Sequence, residues 1–320
     1  MRAHPDNGAS PAAFATVASS SRADTRTLLA VWKLLRPSHW VKNAFVLAPL
    51  AFAARQAMAA SLPAALLGFL SFCLLSSAVY CFNDALDAAA DRAHPTKRFR
   101  PVASGVIAPG AAIALALILT ALGFIAAAKL PLTFGLMAAL YVANNLFYSA
   151  WLKTRVIADV VSIAIGFVLR LLAGAAAIAV PASSWLIVCG FALALLLGFG
   201  KRRAELLVSE RQETRATLIS YTPQKLDSLM SICGSVSLLS YMLYTMAPET
   251  VRLHQTDKLI YTIPFVAYGI FRFIFKVQEG KAEDPVSILL YDRALQATIA
   301  LWVAASLLIM GAVALVGGNG

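Results

Sequence analysis

Charged residues are scarce in this chain. They make up 13% of its 320 residues, whereas apolar residues make up 60% and the mean hydropathy is +0.74. Such a composition excludes a soluble enzyme, and apolar runs of about 20 residues are typical of helices that cross a bilayer. Since the alternation typical of a membrane β-barrel is missing, the sequence predicts an all-α, polytopic membrane helical bundle.

Cysteine and histidine are also few, with four residues of each. The cysteines fall in or at apolar runs and form no CxxC motif, which favours small packing residues over metal ligands. His94 has no second histidine at ligand spacing, so we interpret it as a hydrogen-bond donor in a loop. No combination of Ser, Cys and His resembles a catalytic triad. Any catalysis must therefore depend on positioning and electrostatics.

The apolar runs predict about nine membrane spans. Pro63, Pro131 and Pro181 are expected in short connectors that separate adjacent spans. Residues 1–27, rich in Ala and Ser, are predicted to be a disordered tail, which leaves 28–320 as a single transmembrane domain. The predicted spans lie at about 43–60, 62–82, 109–129, 131–150, 157–180, 184–200, 228–247, 259–277 and 296–316.

The distribution of Lys and Arg along the sequence predicts how the chain is oriented in the membrane. Of the 27 such residues, 22 fall in the N-terminal segment with the first helix entry, or in four charged connectors with the helix ends that adjoin them; the connectors lie at 83–108, 151–156, 201–227 and 278–295. The positive-inside rule places these segments in the cytoplasm and the C-terminus outside, in a multi-pass protein of the inner (plasma) membrane. The net charge of +11 is thus a topology signal. It does not indicate a nucleic-acid partner, because no soluble basic domain carries it.

The first charged connector contains three aspartates, Asp84, Asp87 and Asp91, at spacing i, i+3, i+7. If the helix continues through them, all three lie on one face and repel one another unless a cation lies between them. Carboxylates, with waters and substrate phosphate oxygens, are the ligands that Mg²⁺ prefers. The alternative is a solvated helix end. We favour Mg²⁺, because Lys97 and Arg100 follow and can bind the charge of a diphosphate that the metal only half neutralises.

These residues carry a family resemblance. Asn83-Asp84-x-x-Asp87-x-x-x-Asp91, followed by Arg100-Pro101-x-x-Ser104-Gly105, resembles the first aspartate-rich motif of UbiA-type intramembrane prenyltransferases. The resemblance implies nine helices around a central cavity with a cytoplasmic polar cap. Within the superfamily, Arg36-Pro37-x-x-Trp40-x-Lys42-Asn43 and Tyr148-Ser149-x-x-Leu152-Lys153 are most similar to decaprenyl-phosphate phosphoribosyltransferases.

The chain departs from the prenyltransferase pattern after the sixth span. Ordinary members carry a second aspartate-rich motif there. This sequence instead has Lys201-Arg202-Arg203-Ala204-Glu205, and no aspartate lies between Lys201 and Asp227. A basic cluster attracts bare phosphate rather than metal, although an anchor that follows the positive-inside rule is the alternative.

The fifth span contains two charges, Asp159 and Arg170, which lie about three helical turns apart on nearly the same face. Since an isolated charge in a membrane is costly, Arg170 is expected either to face a substrate pocket or to form a structural ion pair. Asp159 lies nearer the cytoplasmic entrance and could either orient ribose hydroxyls or join the second polar wall, which the cluster at 201–205 forms.

The resemblance implies transfer of 5-phosphoribose from phosphoribosyl pyrophosphate to a polyprenyl phosphate, with release of pyrophosphate. The product would be a lipid-linked pentose donor, and the oligomeric state stays open. Two alternatives are a Mg²⁺-dependent transferase that moves a prenyl group to an aromatic acceptor, and a transporter. The predicted catalytic and metal-binding residues are Asp84, Asp87 and Asp91. The predicted substrate-binding residues are Lys42, Asn83, Lys97, Arg100, Lys153, Arg155, Asp159, Arg170, Lys201, Arg202 and Glu205.

Overall fold

The computed structural model describes residues 27–51, 55–209, 220–280 and 285–316. Nearly all of the predicted N-terminal tail lies outside these residues. The described segments contain helices and no strands. The α-helices are α1 (27–35), α2 (Ala44–Ala51), α3 (Arg55–Leu86), α4 (Ala88–Ala93), α5 (Pro109–Ala127), α6 (Leu132–Ala150), α7 (Ala158–Ala177), α8 (Ser184–Ser209), α9 (Pro223–Met246), α10 (Pro248–His254), α11 (Ile263–Gln278), α12 (Pro285–Tyr291) and α13 (Arg293–Val316). Short 3₁₀ helices occupy Pro37–Asn43, Lys97–Phe99, Leu152–Thr154 and Lys258–Thr262.

Seven helical segments in the described part of the chain are long and apolar enough to cross a membrane. They are Ala59–Leu86, Pro109–Ala127, Ala158–Ala177, Ser184–Leu206, Pro223–Met246, Lys258–Gln278 and Arg293–Gly311. The all-α, multi-pass prediction is therefore confirmed, while the count of nine stays a prediction. Helix α6 carries two asparagines that lower its hydropathy, and α2 has only eight residues before residues 52–54, which are not described.

Prolines mark several helix boundaries. Pro131 and Pro181 lie in the connectors before α6 and α8, as predicted, and Pro223 is the first residue of α9. At that position its missing N–H has no helical partner to lose. The connector predicted at Pro63 is wrong, because this residue lies inside α3. A continuous helix keeps most of its backbone groups hydrogen-bonded within an apolar run, and a turn in lipid would not.

The described residues belong to two compact units. The first unit takes those within Met1–Ser38 and Ser76–Ala121, and the second takes those within His39–Leu75 and Leu122–Gly320. The single domain expected for 28–320 stays a prediction. In the second unit, α7 is largely buried and packs against α2, α6 and α8. A Cβ at Gly174 would lie 2.0 Å from the carbonyl oxygen of Val46, so only glycine lets α2 approach α7 this closely.

Candidate active site

The aspartate motif lies where α3 ends and α4 begins. Asp87 forms a bend between the two helices, with φ −85° and ψ 0°. Its amide nevertheless donates to the carbonyl of Asn83 at 2.8 Å, and its own carbonyl accepts from the amide of Asp91 at 2.8 Å. The i to i+4 spacing is thus kept across the bend. Asp84 and Asp91 are 2% and 5% exposed, while Asp87 and Asn83 are half-buried.

Two arginines hold the buried aspartates of this first unit. Nη1 of Arg100 donates to Oδ1 of Asp84 at 3.3 Å and to Oδ2 of Asp91 at 2.7 Å. Nη2 of Arg36 donates to the same Oδ1 of Asp84 at 2.6 Å, and its guanidinium lies 4.8 Å from the ring centroid of Tyr80. We call Arg36, Asp84, Asp91 and Arg100 the carboxylate cluster. Two carboxylates therefore converge on a single cationic nitrogen.

A metal held by Asp84, Asp87 and Asp91 stays a prediction. In the described ranges, no three acidic, histidine or cysteine side chains come close enough together to hold a metal ion. Asp87 lies at the bend between α3 and α4, whereas Asp84 and Asp91 share Arg100. The carboxylates of Asp84 and Asp91 both lie against Nη1 of Arg100. Their oxygens are hard ligands, and this donor set fits Mg²⁺ with water and phosphate oxygens as further ligands.

The loop after α4 is fixed by its own hydrogen bonds. Nε of Arg92 donates to the carbonyl of Ala103 at 3.2 Å, and the amide of Ile107 donates to the carbonyl of Pro101 at 3.0 Å. Nδ1 of His94 accepts from the amide of Lys97 at 3.3 Å, so this histidine accepts in the loop rather than donating as predicted. Burial, and then the charge of Lys97, lowers the pKa of His94. The side chain of Lys97 is exposed, beside the loop that presents Arg100.

A second cluster lies in the second unit and is centred on Arg202. Its Nε donates to Oδ2 of Asp159 at 2.7 Å, Nη1 donates to the carboxylate of Glu205, and Nη2 donates to the hydroxyl of Tyr148 at 3.4 Å. The Arg202 and Asp159 side chains are 1% and 0% exposed. The other oxygen of Asp159 accepts from the amide of Val160 at 2.8 Å. We call Tyr148, Asp159, Arg202 and Glu205 the Arg202 cluster.

The role of Arg202 in phosphate binding stays a prediction, and the structure shows how its side chain is held. Its charge is neutralised by two carboxylates, and its side chain is closed to solvent. Lys201 and Glu205 are the more exposed charged residues of the motif 201–205; their charged atoms lie 4.0 Å apart and their side chains are 36% and 27% exposed. Each positive charge exposed in this motif thus has a carboxylate close to it.

Arg170 and Asp159 both lie on α7, but they contact different residues. Its guanidinium donates to Oδ1 of Asn43 at 2.8 Å, to the carbonyl of Gly166 at 2.9 Å and to the hydroxyl of Tyr141 at 2.9 Å. It also lies 4.4 Å from the ring centroid of Tyr141. These partners are neutral, so the structural ion pair considered for Arg170 is not the arrangement found. Asp159 pairs with Arg202 instead.

The remaining predicted cations lie in short segments of the second unit. Lys42 is at the end of the 3₁₀ helix Pro37–Asn43, with Nζ 3.3 Å from Nδ1 of His39. Lys153 is half-buried in the 3₁₀ helix Leu152–Thr154. Arg155 is exposed, and its guanidinium lies 5.1 Å from the ring centroid of Trp151.

Three residues that the sequence prediction omits have clear contacts in these clusters. They are Arg36 on Asp84, Tyr148 on Arg202 and Tyr141 on Arg170. Arg36 and Tyr148 stand inside the motifs that carried the family resemblance, so the motifs themselves could have identified them. Tyr141 has no comparable signal, because an aromatic residue within an apolar run is usually a packing residue.

The chain is similar to proteins of one known family. Residues 44–291 match the UbiA prenyltransferase family. The decaprenyl-phosphate phosphoribosyltransferase of Mycolicibacterium smegmatis is 34% identical over 287 residues, which cover 85% of this chain and 89% of that protein. The protein of the same name from Corynebacterium glutamicum is 35% identical over 281 residues, with 85% and 83% covered.

Solved structures show the same fold. A UbiA homolog from Archaeoglobus fulgidus bound to GPP and Mg²⁺ has a TM-score of 0.66 and 17% identity, and the match covers 88% of this chain and 99% of that one. The resemblance found in the aspartate motif is thereby confirmed, and the chain belongs to the UbiA prenyltransferase family.

Proposed function

We propose that this protein transfers 5-phosphoribose from phosphoribosyl pyrophosphate to a polyprenyl phosphate of decaprenyl type and releases pyrophosphate. The observation that carries the proposal is the convergence of Asp84 and Asp91 on Arg100, which combines ligands for a divalent ion with a donor for phosphate oxygens. The identity of about a third with two phosphoribosyltransferases, over most of each chain, supports the choice of donor.

The proposed metal is Mg²⁺, held by Asp84 and Asp91 with Asp87 near them at the bend. Bound there, Mg²⁺ would neutralise charge on the pyrophosphate. Arg36 and Arg100 orient these carboxylates, because Arg36 donates to Asp84 and Arg100 donates to both Asp84 and Asp91. Arg100 and the exposed Lys97 bind the oxygens on which negative charge grows as pyrophosphate leaves.

The reaction needs no protein nucleophile. The bond between C1 of the ribose and the pyrophosphate oxygen breaks, and its electron pair leaves with pyrophosphate. An oxygen of the polyprenyl phosphate, already anionic at neutral pH, forms the new bond to C1. The chain's residues contribute positioning and electrostatic stabilisation, which account for most of the catalysis in such transfers.

The other phosphates require other cations. The 5′-phosphate of the donor and the phosphate of the lipid are proposed to bind Lys42, Lys153, Arg155 and Lys201. Asp159, Arg202 and Glu205 are proposed to act indirectly. The Arg202 cluster that they form with Tyr148 holds the backbone around these phosphates in place. The polar segments are proposed to face the cytoplasm, where a soluble phosphorylated sugar is available, while the lipid reaches the enzyme from the bilayer.

A transfer assay tests the proposal. Purified protein is incubated with Mg²⁺, phosphoribosyl pyrophosphate labelled in the ribose, and decaprenyl phosphate, and the organic phase is counted. Label in the lipid fraction, dependent on both substrates, is the expected result. Absence of label, together with prenylation of an aromatic acceptor from a prenyl diphosphate, would overturn the proposal.

A further inference from the structure

The turn that precedes α7 has an unusual backbone. Ile157 has φ +69° and ψ −48°, and the amide of Ala158 donates to the carbonyl of Val156 at 2.8 Å. These values describe a γ-turn with a positive φ, which is rare and strained. A β-branched residue at positive φ is a genuine outlier, and such strain persists only where the surrounding structure stabilises it.

The hydroxyl of Tyr221 provides that stabilisation. It accepts a hydrogen bond from the amide of Ile157 at 2.8 Å, across 64 residues of sequence. Tyr221 is 5% exposed, and its ring packs in a core cluster with Val160 and Leu226. It immediately precedes α9, where the side chain of Thr222 caps the helix by accepting from the amide of Lys225. The hydroxyl is therefore held by a rigid part of the second unit.

The strained turn leads directly to the Arg202 cluster. Asp159 stands two residues after Ile157, and its amide donates to the carbonyl of Arg155 at 3.1 Å, across the turn. The carboxylate of Asp159 then holds Nε of Arg202 at 2.7 Å. A change in the turn would rotate the first residues of α7 and so move Asp159 relative to Arg202.

We propose that Tyr221 is a positioning residue: its hydroxyl holds the γ-turn at Ile157, and the turn places Asp159 so that the Arg202 cluster keeps its arrangement. The inference rests on the proposed phosphoribosyl transfer where it concerns the enzyme's kinetics. In this role Tyr221 acts through Ile157 and Asp159 and does not contact the substrate. Loss of the hydroxyl should therefore weaken donor binding more than it slows the chemical step.

The variant Tyr221→Phe removes only the hydroxyl. We expect the KM for phosphoribosyl pyrophosphate to rise about fivefold with kcat within about twofold, as for loss of one hydrogen bond. Addition of Ile157→Gly should restore the KM, because glycine adopts positive φ without strain and the turn no longer needs the tyrosine. The Ile157 side chain is 50% exposed, so its loss removes little packing. Tyr261→Phe, at a tyrosine that is 71% exposed, is the matched control and should leave the KM unchanged.

Amide hydrogen exchange gives a readout that does not depend on activity. In the absence of substrates, residues 155–160 should exchange faster in Tyr221→Phe than in the wild-type protein and the Tyr261→Phe control. If the wild-type protein transfers no phosphoribose, the proposed function fails, and the exchange result still decides whether Tyr221 holds the turn. Unchanged exchange at 155–160, an unchanged KM in Tyr221→Phe, or a double variant as impaired as the single one would overturn the inference.

Discussion

Arg202 and Asp159 form an ion pair that is closed to solvent, with Nε and Oδ2 2.7 Å apart and side-chain exposures of 1% and 0%. The guanidinium of Arg202 is therefore held by protein groups in the interior of the second unit. Its second carboxylate partner, Glu205, lies one helical turn further along α8 and reaches the surface. The Arg202 cluster thus connects the start of α7 to α8.

The first prediction concerns the stability of this pair. Asp159→Asn should lower the free energy of unfolding by about 3–5 kcal/mol, because removal of one partner leaves a buried charge without full compensation. Unfolding in detergent micelles, followed by circular dichroism against denaturant, measures the change. Glu279→Gln is the control, since it breaks the partly exposed pair with Lys276, and it should cost less than about 1 kcal/mol.

A double variant separates the charge from the packing. Asp159→Leu combined with Arg202→Met replaces the buried pair by apolar groups, which is often neutral or stabilising. Its free energy of unfolding should therefore lie closer to the wild-type value than that of Asp159→Asn. Equal losses in Asp159→Asn and Glu279→Gln would contradict the assignment of a buried, structurally important pair.

The second prediction concerns the two buried carboxylates of the carboxylate cluster. Asp84→Asn and Asp91→Asn should each lower kcat for phosphoribosyl transfer by about 100-fold or more, because the proposed metal loses a charged ligand. Initial rates at saturating donor, with Mg²⁺ varied, measure the effect. Asp257→Asn, at an exposed aspartate before the 3₁₀ helix Lys258–Thr262, should leave the rate unchanged. Full activity in both variants would remove the basis for a metal at this position.

The third prediction concerns Arg100. A single nitrogen of this guanidinium contacts both Asp84 and Asp91. Lysine keeps the charge but lacks the planar fork, so Arg100→Lys should lower kcat by about 10-fold while the protein stays folded. The exposed Arg98 offers a matched control two residues away, and Arg98→Lys should be close to wild type. Equal rates for the two variants would show that charge alone is needed at position 100.

The sequence predicts the carboxylate cluster better than the Arg202 cluster, for a physical reason. Asp84 and Asp91 are separated by two helical turns, so helical periodicity alone places them on one face. Arg202 and Asp159 are 43 residues apart in sequence and meet only through the packing of α7 against α8. A single sequence contains no rule for that contact. The sequence does not predict the positive φ of Ile157 either, because isoleucine favours extended backbone and nothing local requires a turn.

For the membrane spans too, the sequence predicts local features better than contacts between residues that are distant in the chain. Run length and hydropathy predict that the chain crosses the membrane repeatedly, and the described helices agree. The boundary expected at Pro63 fails, because proline is a local signal and the apolar context around it favours a helix. Arg170 is correctly expected to need partners. Which partners it finds, Asn43 and Tyr141, depends on the tertiary fold.

The fourth prediction concerns His254, which ends α10 and is 6% exposed. Its Nε2 lies 3.3 Å from the hydroxyl of Tyr244, and burial lowers the pKa of His254 below its ordinary value of 6.5. A lowered pKa means that the folded protein binds this proton less readily than the unfolded chain does. The contribution of the neutral imidazole to stability is therefore complete above about pH 6.5 and is lost as the pH falls through the folded-state pKa.

The free energy of unfolding in detergent, measured from pH 7.5 to 5, should accordingly fall with acidification in the wild-type protein. His254→Gln cannot titrate in this range, so its curve should be flatter over the same interval, even if its stability at pH 7.5 is lower. His94→Gln is a suitable comparison, because that histidine lies in a loop and is much less buried. A wild-type slope that persists unchanged in His254→Gln would assign the pH dependence to another group.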